Sequence, residues 1–352
     1  MTKTQATGGG NFFEDFRPGL KIAHHPSRTL TDADQSIYTA LFGARFAPQN
    51  SEEFAKSLGF ASRPLDDMLV FHTVFGKTVQ DISLNAIANL GYADWRFLKP
   101  VFSGDTLSAQ TEILGVRENA NKESGIVYVR STGYNQRNEP ILTFARWVMV
   151  RKRDTSAPVL APQVPTLPSH VEPEALLNPT THALSSRARE QSGGARFFDD
   201  YSIGEKVDHA DGVTVEESEH MLATRLYHNN ARVHFNAHAE KLGKFGKRIV
   251  YGGHVMSIAR AMTFNGFENA FFVAAVNAGR HVSPCFAGDT VYAWSEVIDK
   301  SPLQHDKRWG ALRLRTIGAK DQSCAEFPGK TTEGAFHPSV ILELDYWVLI
   351  PR

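Results

Sequence analysis

Apolar and polar positions along this chain follow one order of elements, and the order occurs twice. An aromatic opening, Phe12-Phe13-Glu14-Asp15-Phe16, is followed by Gly19 and Lys21. Residues 31–42 begin with an acidic turn, which favours a helix N-terminus. Residues 68–81 are a longer apolar run that predicts a buried helix. Residues 126–134 and 141–151 read as strands, separated by Asn135-Gln136-Arg137-Asn138, a turn-rich hairpin signal. The second passage opens on Phe197-Phe198-Asp199-Asp200-Tyr201, with Gly204 and Lys206. Helices are predicted over 216–227 and 255–264, the latter led in by Gly252-Gly253. Leu312-Arg313-Leu314-Arg315 alternates as a half-buried antiparallel strand should. The closing strands match too: Arg146-Trp147-Val148-Met149-Val150 against Tyr346-Trp347-Val348-Leu349-Ile350.

The spacing between the passages is nearly constant. Phe12 and Phe197 stand 185 positions apart. Phe97-Leu98-Lys99-Pro100-Val101-Phe102-Ser103-Gly104-Asp105-Thr106-Leu107 returns as His281-Val282-Ser283-Pro284-Cys285-Phe286-Ala287-Gly288-Asp289-Thr290-Val291, 184 positions on. Trp147 and Trp347 are 200 apart, which places an insertion in the second passage, expected in 321–338. Self-similarity on this scale means two copies of one fold.

Between the copies, Pro158, Pro162, Pro165, Pro168, Pro173 and Pro179 prevent helix interiors and central strands. An extended connector packed along the surface is expected, with Val159, Leu160, Val164 and Leu167 available to dock. The organisation read from this is an N-terminal unit over 1–154, a linker over 155–190 and a C-terminal unit over 191–352. A long apolar helix followed by several antiparallel strands is an α+β pattern, the helix covering one face of a curved sheet. Two such units can join their sheets edge to edge and so remove two exposed edges. The expectation is a pseudo-symmetric dimer within one chain.

Composition narrows the function classes. With 38 basic and 38 acidic residues, nothing favours nucleic acid or an anionic membrane as partner. Cys285 and Cys324 are the only cysteines, which fits a reducing, cytoplasmic setting and leaves no disulfide framework or cysteine zinc site. Residues 1–11 read as a loose polar tail without the apolar stretch of a signal peptide. No apolar run approaches the roughly 18 residues of a membrane span.

The two Gly-Asp-Thr segments, with Pro100 and Pro284 ahead of them, resemble the strand-turn of the MaoC-like dehydratases, which have the hotdog fold. The resemblance covers essentially the whole chain apart from tail and linker. It implies a double hotdog, the architecture of two-half R-specific enoyl-CoA hydratases, which add or remove water across the α,β bond of coenzyme A thioesters. Thr31-Asp32-Ala33-Asp34-Gln35-Ser36-Ile37-Tyr38-Thr39-Ala40-Leu41, Leu65-Asp66-Asp67-Met68-Leu69-Val70-Phe71-His72 and Asn85-Ala86-Ile87-Ala88-Asn89-Leu90-Gly91-Tyr92 look like the mesaconyl-CoA hydratases. Those enzymes interconvert mesaconyl-CoA (2-methylfumaryl-CoA) and β-methylmalyl-CoA. The resemblance thus implies a hydro-lyase acting on a branched, carboxylate-bearing enoyl-CoA, without metal or redox cofactor, in a homodimer or higher homo-oligomer.

The family's hydratase motif is an Asp and, five residues later, a His. In the second copy these positions are Asn229 and His234; in the first they are Ala44 and Gln49. Ala44 cannot polarise water and Gln49 cannot exchange protons, so the chemistry is expected in the second copy. An imidazole can give and take protons in a reversible hydration, which makes His234 the candidate acid and base. A loop histidine satisfied by backbone is the bland alternative. Asn229 can orient a water but is no base. His234 acting alone, a carboxylate supplied by Asp66 or Asp67 across the interface between the copies, and an inactive site are the open alternatives. An acidic helix N-terminus is the plain reading of Asp66 and Asp67.

Gly252 and Gly253 precede an apolar helix, where free N–H groups can hold a thioester carbonyl as it becomes an enolate. The family's glycine matches Gly253, and a tight turn is the alternative. Arg232 and Arg45 are candidates for a substrate carboxylate. Lys247 and Arg248, with Lys244 and Arg280, are candidates for coenzyme A phosphates; solvated surface charge is the alternative for each. Rival readings are another R-specific enoyl-CoA hydratase, an acyl-CoA thioesterase, a non-catalytic acyl-CoA-binding protein, and a metal hydrolase using His234 and His238 with Glu240.

Overall fold

The structure, a computed structural model, describes residues 2–3, 9–158 and 161–352. The first unit runs β1 (Thr2–Lys3), β2 (Lys21–Thr29), α1 (Asp32–Phe42), α2 (Ala47–Asn50), α3 (Glu52–Ser57) and the long helix α4 (Asp67–Thr78), which continues as a π-helical turn over Val79–Ser83. Then come β3 (Ala86–Phe97), β4 (Thr106–Glu118), β5 (Ser124–Tyr134) and β6 (Pro140–Arg151). After a short helix α5 (Ser186–Gln191), the second unit repeats the order. Its elements are β7 (Lys206–Thr214), α6 (Glu217–Leu226), α7 (Ala237–Glu240), α8 (Gly252–Met262), β8 (Phe272–His281), β9 (Thr290–Pro302), β10 (Trp309–Lys320) and β11 (Val340–Pro351).

All strands share one sheet, ordered β1-β2-β4-β5-β6-β3-β8-β11-β10-β9-β7. The units join where β3 and β8 pair antiparallel, with Tyr92 opposite Gly279 and Trp95 opposite Val276. This seam satisfies backbone groups that either unit alone would leave exposed. Helix α4 is buried from Met68 to Thr78, as its near-continuous apolar sequence requires, and one core of α4, α8 and sheet residues spans both units.

The repeated residues hold the fold. Gly104 and Gly288 both take a φ of 95°, accessible to glycine at no steric cost. The following Asp105 and Asp289 accept from the N–H groups of Phe102 and Phe286, each at 2.9 Å. Phe13 and Phe198 pack against Gly125 and Gly310, where a Cβ would come within 2.2 Å of a ring carbon. A buried histidine also repeats: His24 meets Thr111 at 2.7 Å and His209 meets Ser295 at 2.8 Å.

The expected hairpin at 135–138 is present, with Asn138 in the left-handed region and the Asn135 carboxamide accepting from Arg137 and Glu139. Three expectations are corrected. The tail is tied down at its described end: Asn11 is buried and donates to the Asp81 carbonyl, and Thr2–Lys3 runs parallel to Lys21–Ile22. In the linker Val164 stays 57% exposed, and docking falls instead to Val171 and Leu176. Trp347 explains this, because its indole donates to the Val171 carbonyl at 3.0 Å and draws the chain onto the sheet there. Val159 and Leu160 lie outside the described residues. Finally, α8 begins at Gly252 rather than 255, the two glycines forming a first turn whose N–H groups have no intrahelical acceptor. The insertion falls between β10 and β11, as expected, and folds over Trp294 and Ile317. Among the described residues no helix is long and apolar enough to cross a membrane.

Candidate active site

Helices α4 and α8 lie side by side in opposite directions, and this decides which residues meet. Early on α4, Asp66 and Asp67 act on Arg260, late on α8. One turn further, His72 pairs its Nε2 with Ser257 Oγ at 3.0 Å and its Nδ1 with Tyr251 Oη at 3.2 Å. Near its end, Gly76 touches the loop after α6: a Cβ there would stand 1.9 Å from the Tyr227 carbonyl oxygen. The helix pair therefore has one end against the 227–234 segment and the other against the 43–46 loop and the start of α2. Gly76→Ala is expected to push that loop away at a cost of about 1–3 kcal/mol. Thermal melting should show a clearly lower Tm, and a wild-type Tm would contradict the close approach.

His234 ends a 3-10 turn, Arg232–His234, that closes on itself through the Ala231 carbonyl. Its Nδ1–H donates to the Ile249 carbonyl at 2.9 Å, which fixes the tautomer and leaves Nε2 with its lone pair. Burial lowers its pKa to about 4, against the raising effect of the Ile249 bond and with His220 lowering it further. The ring is thus a neutral acceptor at physiological pH. It faces Tyr251, with ring centroids 5.5 Å apart.

Tyr251 is the N-cap of α8 and supplies no side-chain cap. The N–H groups of Gly252 and Gly253 at the first two helical positions therefore have no intrahelical acceptor. Close packing demands both glycines. A Cβ on Gly252 would lie 2.4 Å from the His281 ring, and one on Gly253 would lie 2.4 Å from Tyr251 and 2.5 Å from His72. Asn229 is buried; its N–H donates to the Thr224 carbonyl at 2.9 Å, and its Oδ1 accepts from Ala231 N–H at 3.1 Å. Those bonds hold the loop and leave the amide Nδ2 hydrogens without an acceptor among the described residues.

The structure sets His234 against Tyr251, the residue before Gly252 and Gly253, with Asn229 on the loop leading into the His234 turn, and separates others from them. Asp66 caps α4 by accepting from Met68 N–H at 2.9 Å, and Asp67 accepts from Val273 N–H at 2.8 Å. Burial raises both pKa values, that of Asp67 to about 8 with the charge of Asp66 adding to it. They cross the interface as expected but arrive beside Arg260, eight residues or about 12 Å along α8 from Gly252. Neither is a carboxylate for His234, because the helices run antiparallel. Arg45 is likewise remote: it donates to Asn265 at 2.6 Å and stacks on Phe264, beyond the far end of α8. Ala44 and Gln49 are buried at that same end, where Gln49 donates to the Phe271 carbonyl.

Arg248 is spoken for by Glu217 and by the Phe235 carbonyl, so it braces the loop rather than offering a free charge. Lys247 is exposed over the Phe286 ring, and Lys244 over Phe245; Arg232 is exposed. His238 lies exposed on α7, off the turn that carries His234, and among the described residues no three His, Cys, Asp or Glu side chains form a metal-holding group. The residues that sequence reasoning passed over are Tyr251, His72, His281, His254 and Ser257. Their signal was available: a His inside an otherwise apolar helix is buried with a partner or a purpose.

The mesaconyl-CoA hydratase family model matches residues 1–161, and the MaoC-like domain model matches 199–316. The chain is 53% identical over 346 residues to a β-methylmalyl-CoA dehydratase of Chloroflexus aurantiacus, covering 98% of each. It is 51% identical to a mesaconyl-CoA hydratase of Cereibacter sphaeroides, covering 98% of this chain and 99% of that one. A crystal structure of a MaoC domain protein from Chloroflexus aurantiacus superposes with a TM-score of 0.96 at 52% identity, over 99% of each chain. A hypothetical protein of Mycobacterium tuberculosis with a double hotdog fold gives 0.77 at 22% identity over 98% of this chain and 99% of that one, which bears on the fold alone. The architecture here is a tandem hotdog of the same kind.

Proposed function

This chain belongs to the mesaconyl-CoA hydratase family, and from that premise we propose that it reversibly hydrates mesaconyl-CoA to β-methylmalyl-CoA. The observation that supports the chemistry is a tautomer-fixed His234 facing Tyr251, the N-cap of α8 that gives the helix no side-chain cap.

In the hydration direction His234 Nε2 removes a proton from water. The water oxygen bonds to the β-carbon, and the electron pair of the α,β bond moves toward the thioester carbonyl. Gly252 and Gly253 N–H groups, with the positive end of α8 behind them, stabilise the enolate oxygen. The protonated imidazole then delivers the proton to the α-carbon, so that one H and one OH have been added and His234 is neutral again. Asn229 Nδ2–H orients the water. No cofactor is needed beyond the coenzyme A that is part of the substrate. Buried, unpaired Cys285 and Cys324 support a reducing, cytoplasmic setting, and a homodimer or higher homo-oligomer is part of the same reading.

The test follows loss of enoyl-thioester absorbance with mesaconyl-CoA and with crotonyl-CoA, alongside a free-thiol assay. Faster turnover of mesaconyl-CoA without thiol release is expected. Faster crotonyl-CoA turnover would move the assignment to a general enoyl-CoA hydratase, and thiol release would move it to a thioesterase.

A further inference from the structure

Each end of the helix pair holds a buried arginine, and the two are satisfied differently. At the end without the imidazole, Arg260 donates to the Ala270 carbonyl at 2.6 Å and to Thr263 at 2.9 Å, and stacks on Phe46. The charges of Asp66 and Asp67 favour its cation. That end is neutralised by the chain itself.

At the His234 end the arginine is Arg146, on β6, which is 0% exposed. Its guanidinium lies 4.3 Å from the centre of the Phe75 ring. One terminal nitrogen donates to Thr78 Oγ1 at 2.9 Å and approaches Ser83 Oγ at 3.4 Å; the other reaches Asn89 Oδ1 at 3.5 Å. The Nε–H is buried with no acceptor. The groups that favour its charge are two phenols, Tyr92 and Tyr251, and among the described residues no carboxylate does so. An uncompensated buried cation is costly, and a hydrogen-bonded anion removes that cost.

The position of Arg146 is beneath the site. It pairs across the ladder with Tyr92, whose ring is 6.1 Å from that of His281, the residue against Gly252. Phe75, under its guanidinium, is 5.7 Å from Tyr251, which in turn is 5.5 Å from His234. The counterpart of Arg146 in the second unit is Tyr346, so the other end has no arginine on this strand.

Building on the hydratase reading, we infer that Arg146 determines specificity by binding the free carboxylate of the acyl group, which selects fumaryl-type enoyl-CoA over simple enoyl-CoA. Only three bonds separate the thioester carbon of such a substrate from its carboxylate carbon. An oxyanion site at α8 and a carboxylate site must therefore lie in one pocket, one lining the other. The unspent Nε–H and the charge suit a carboxylate oxygen. Arg232 and Arg45, the candidates from sequence, are exposed and need no ligand.

The experiment compares wild type with Arg146→Met and Arg146→Lys on mesaconyl-CoA and 2-methylcrotonyl-CoA, which has a methyl group in place of the carboxylate. The ratio of kcat/KM for the first over the second should fall about 10²-fold in Arg146→Met. Arg146→Lys, which keeps a buried cation without the fork, should show a smaller fall carried by KM, and it decides the matter if the Met variant does not fold. An unaltered ratio in a folded variant, or equal losses on both substrates, would overturn the role of Arg146 while leaving the hydratase reading intact. Absence of mesaconyl-CoA turnover in the wild type would instead remove that reading.

Discussion

His234→Gln is expected to lower the turnover of mesaconyl-CoA by about 10³-fold, within the range that a positioned acid–base group supplies. Glutamine fills similar space and can still donate to the Ile249 carbonyl, so the loop should keep its shape. What it lacks is a lone pair that accepts a proton near neutral pH. The chain already carries this experiment in its first unit, where Gln49 occupies the equivalent place and spends its amide on the Phe271 carbonyl. The wild type should show no acid limb near pH 6.5. Burial holds the imidazole at about 4, so the base form required for water activation persists as the pH falls from 8 to 6. Near-wild-type turnover in the glutamine variant, or a limb centred at 6.5 in kcat/KM, would sink this assignment.

Acidification should unfold the protein cooperatively by about pH 4. His72, His209 and His254 are 0–1% exposed, and burial lowers their pKa values to about 3, 4 and 3. In the unfolded chain each returns to about 6.5. Between those limits the unfolded state binds protons that the native state refuses. Stability is therefore complete above pH 6.5 and declines as the pH drops toward 4. Each group contributes about 1.4 kcal/mol per pH unit in that window, so the three together remove roughly 4 kcal/mol per unit. His24 and His220, also buried and lowered by desolvation, act in the same direction. A domain stability of about 5–15 kcal/mol is exhausted within two to three units. Far-UV circular dichroism against pH reads the transition, and a native spectrum at pH 4 would contradict it.

The sequence made the repeat legible because its strongest signals are local. A positive-φ glycine followed by an aspartate that caps the turn is fixed by neighbouring backbone, and so is the aromatic ring that needs a glycine opposite. That His234 lies on a turn ahead of the second long helix could also be read, since motif and helix lie close in sequence. What could not be read was which ends of α4 and α8 coincide. That depends on the antiparallel packing of two helices about 185 residues apart, and it sent Asp66, Asp67 and Arg45 to the wrong end in the sequence reading. Arg146 was hidden for another reason. On a strand an arginine among apolar residues reads as an outward-facing position, and only the packing of Phe75 and Tyr92 around it reveals a buried one. The linker shows the same limit: proline spacing predicted its extended path, but the indole of Trp347 chose where it docks.

The self-neutralised end of the helix pair also constrains how such a chain can change over time. Once the shared negative charge of Asp66 and Asp67 balances Arg260, a histidine placed at position 49 would meet these acidic groups at the start of α4, where the second unit has Gly252 and Gly253. Removing the carboxylates first would strand Arg260 in the core. Each single step toward a second site of the proposed kind is thus opposed by the charges left behind, which hold the first unit where it is as a ratchet would.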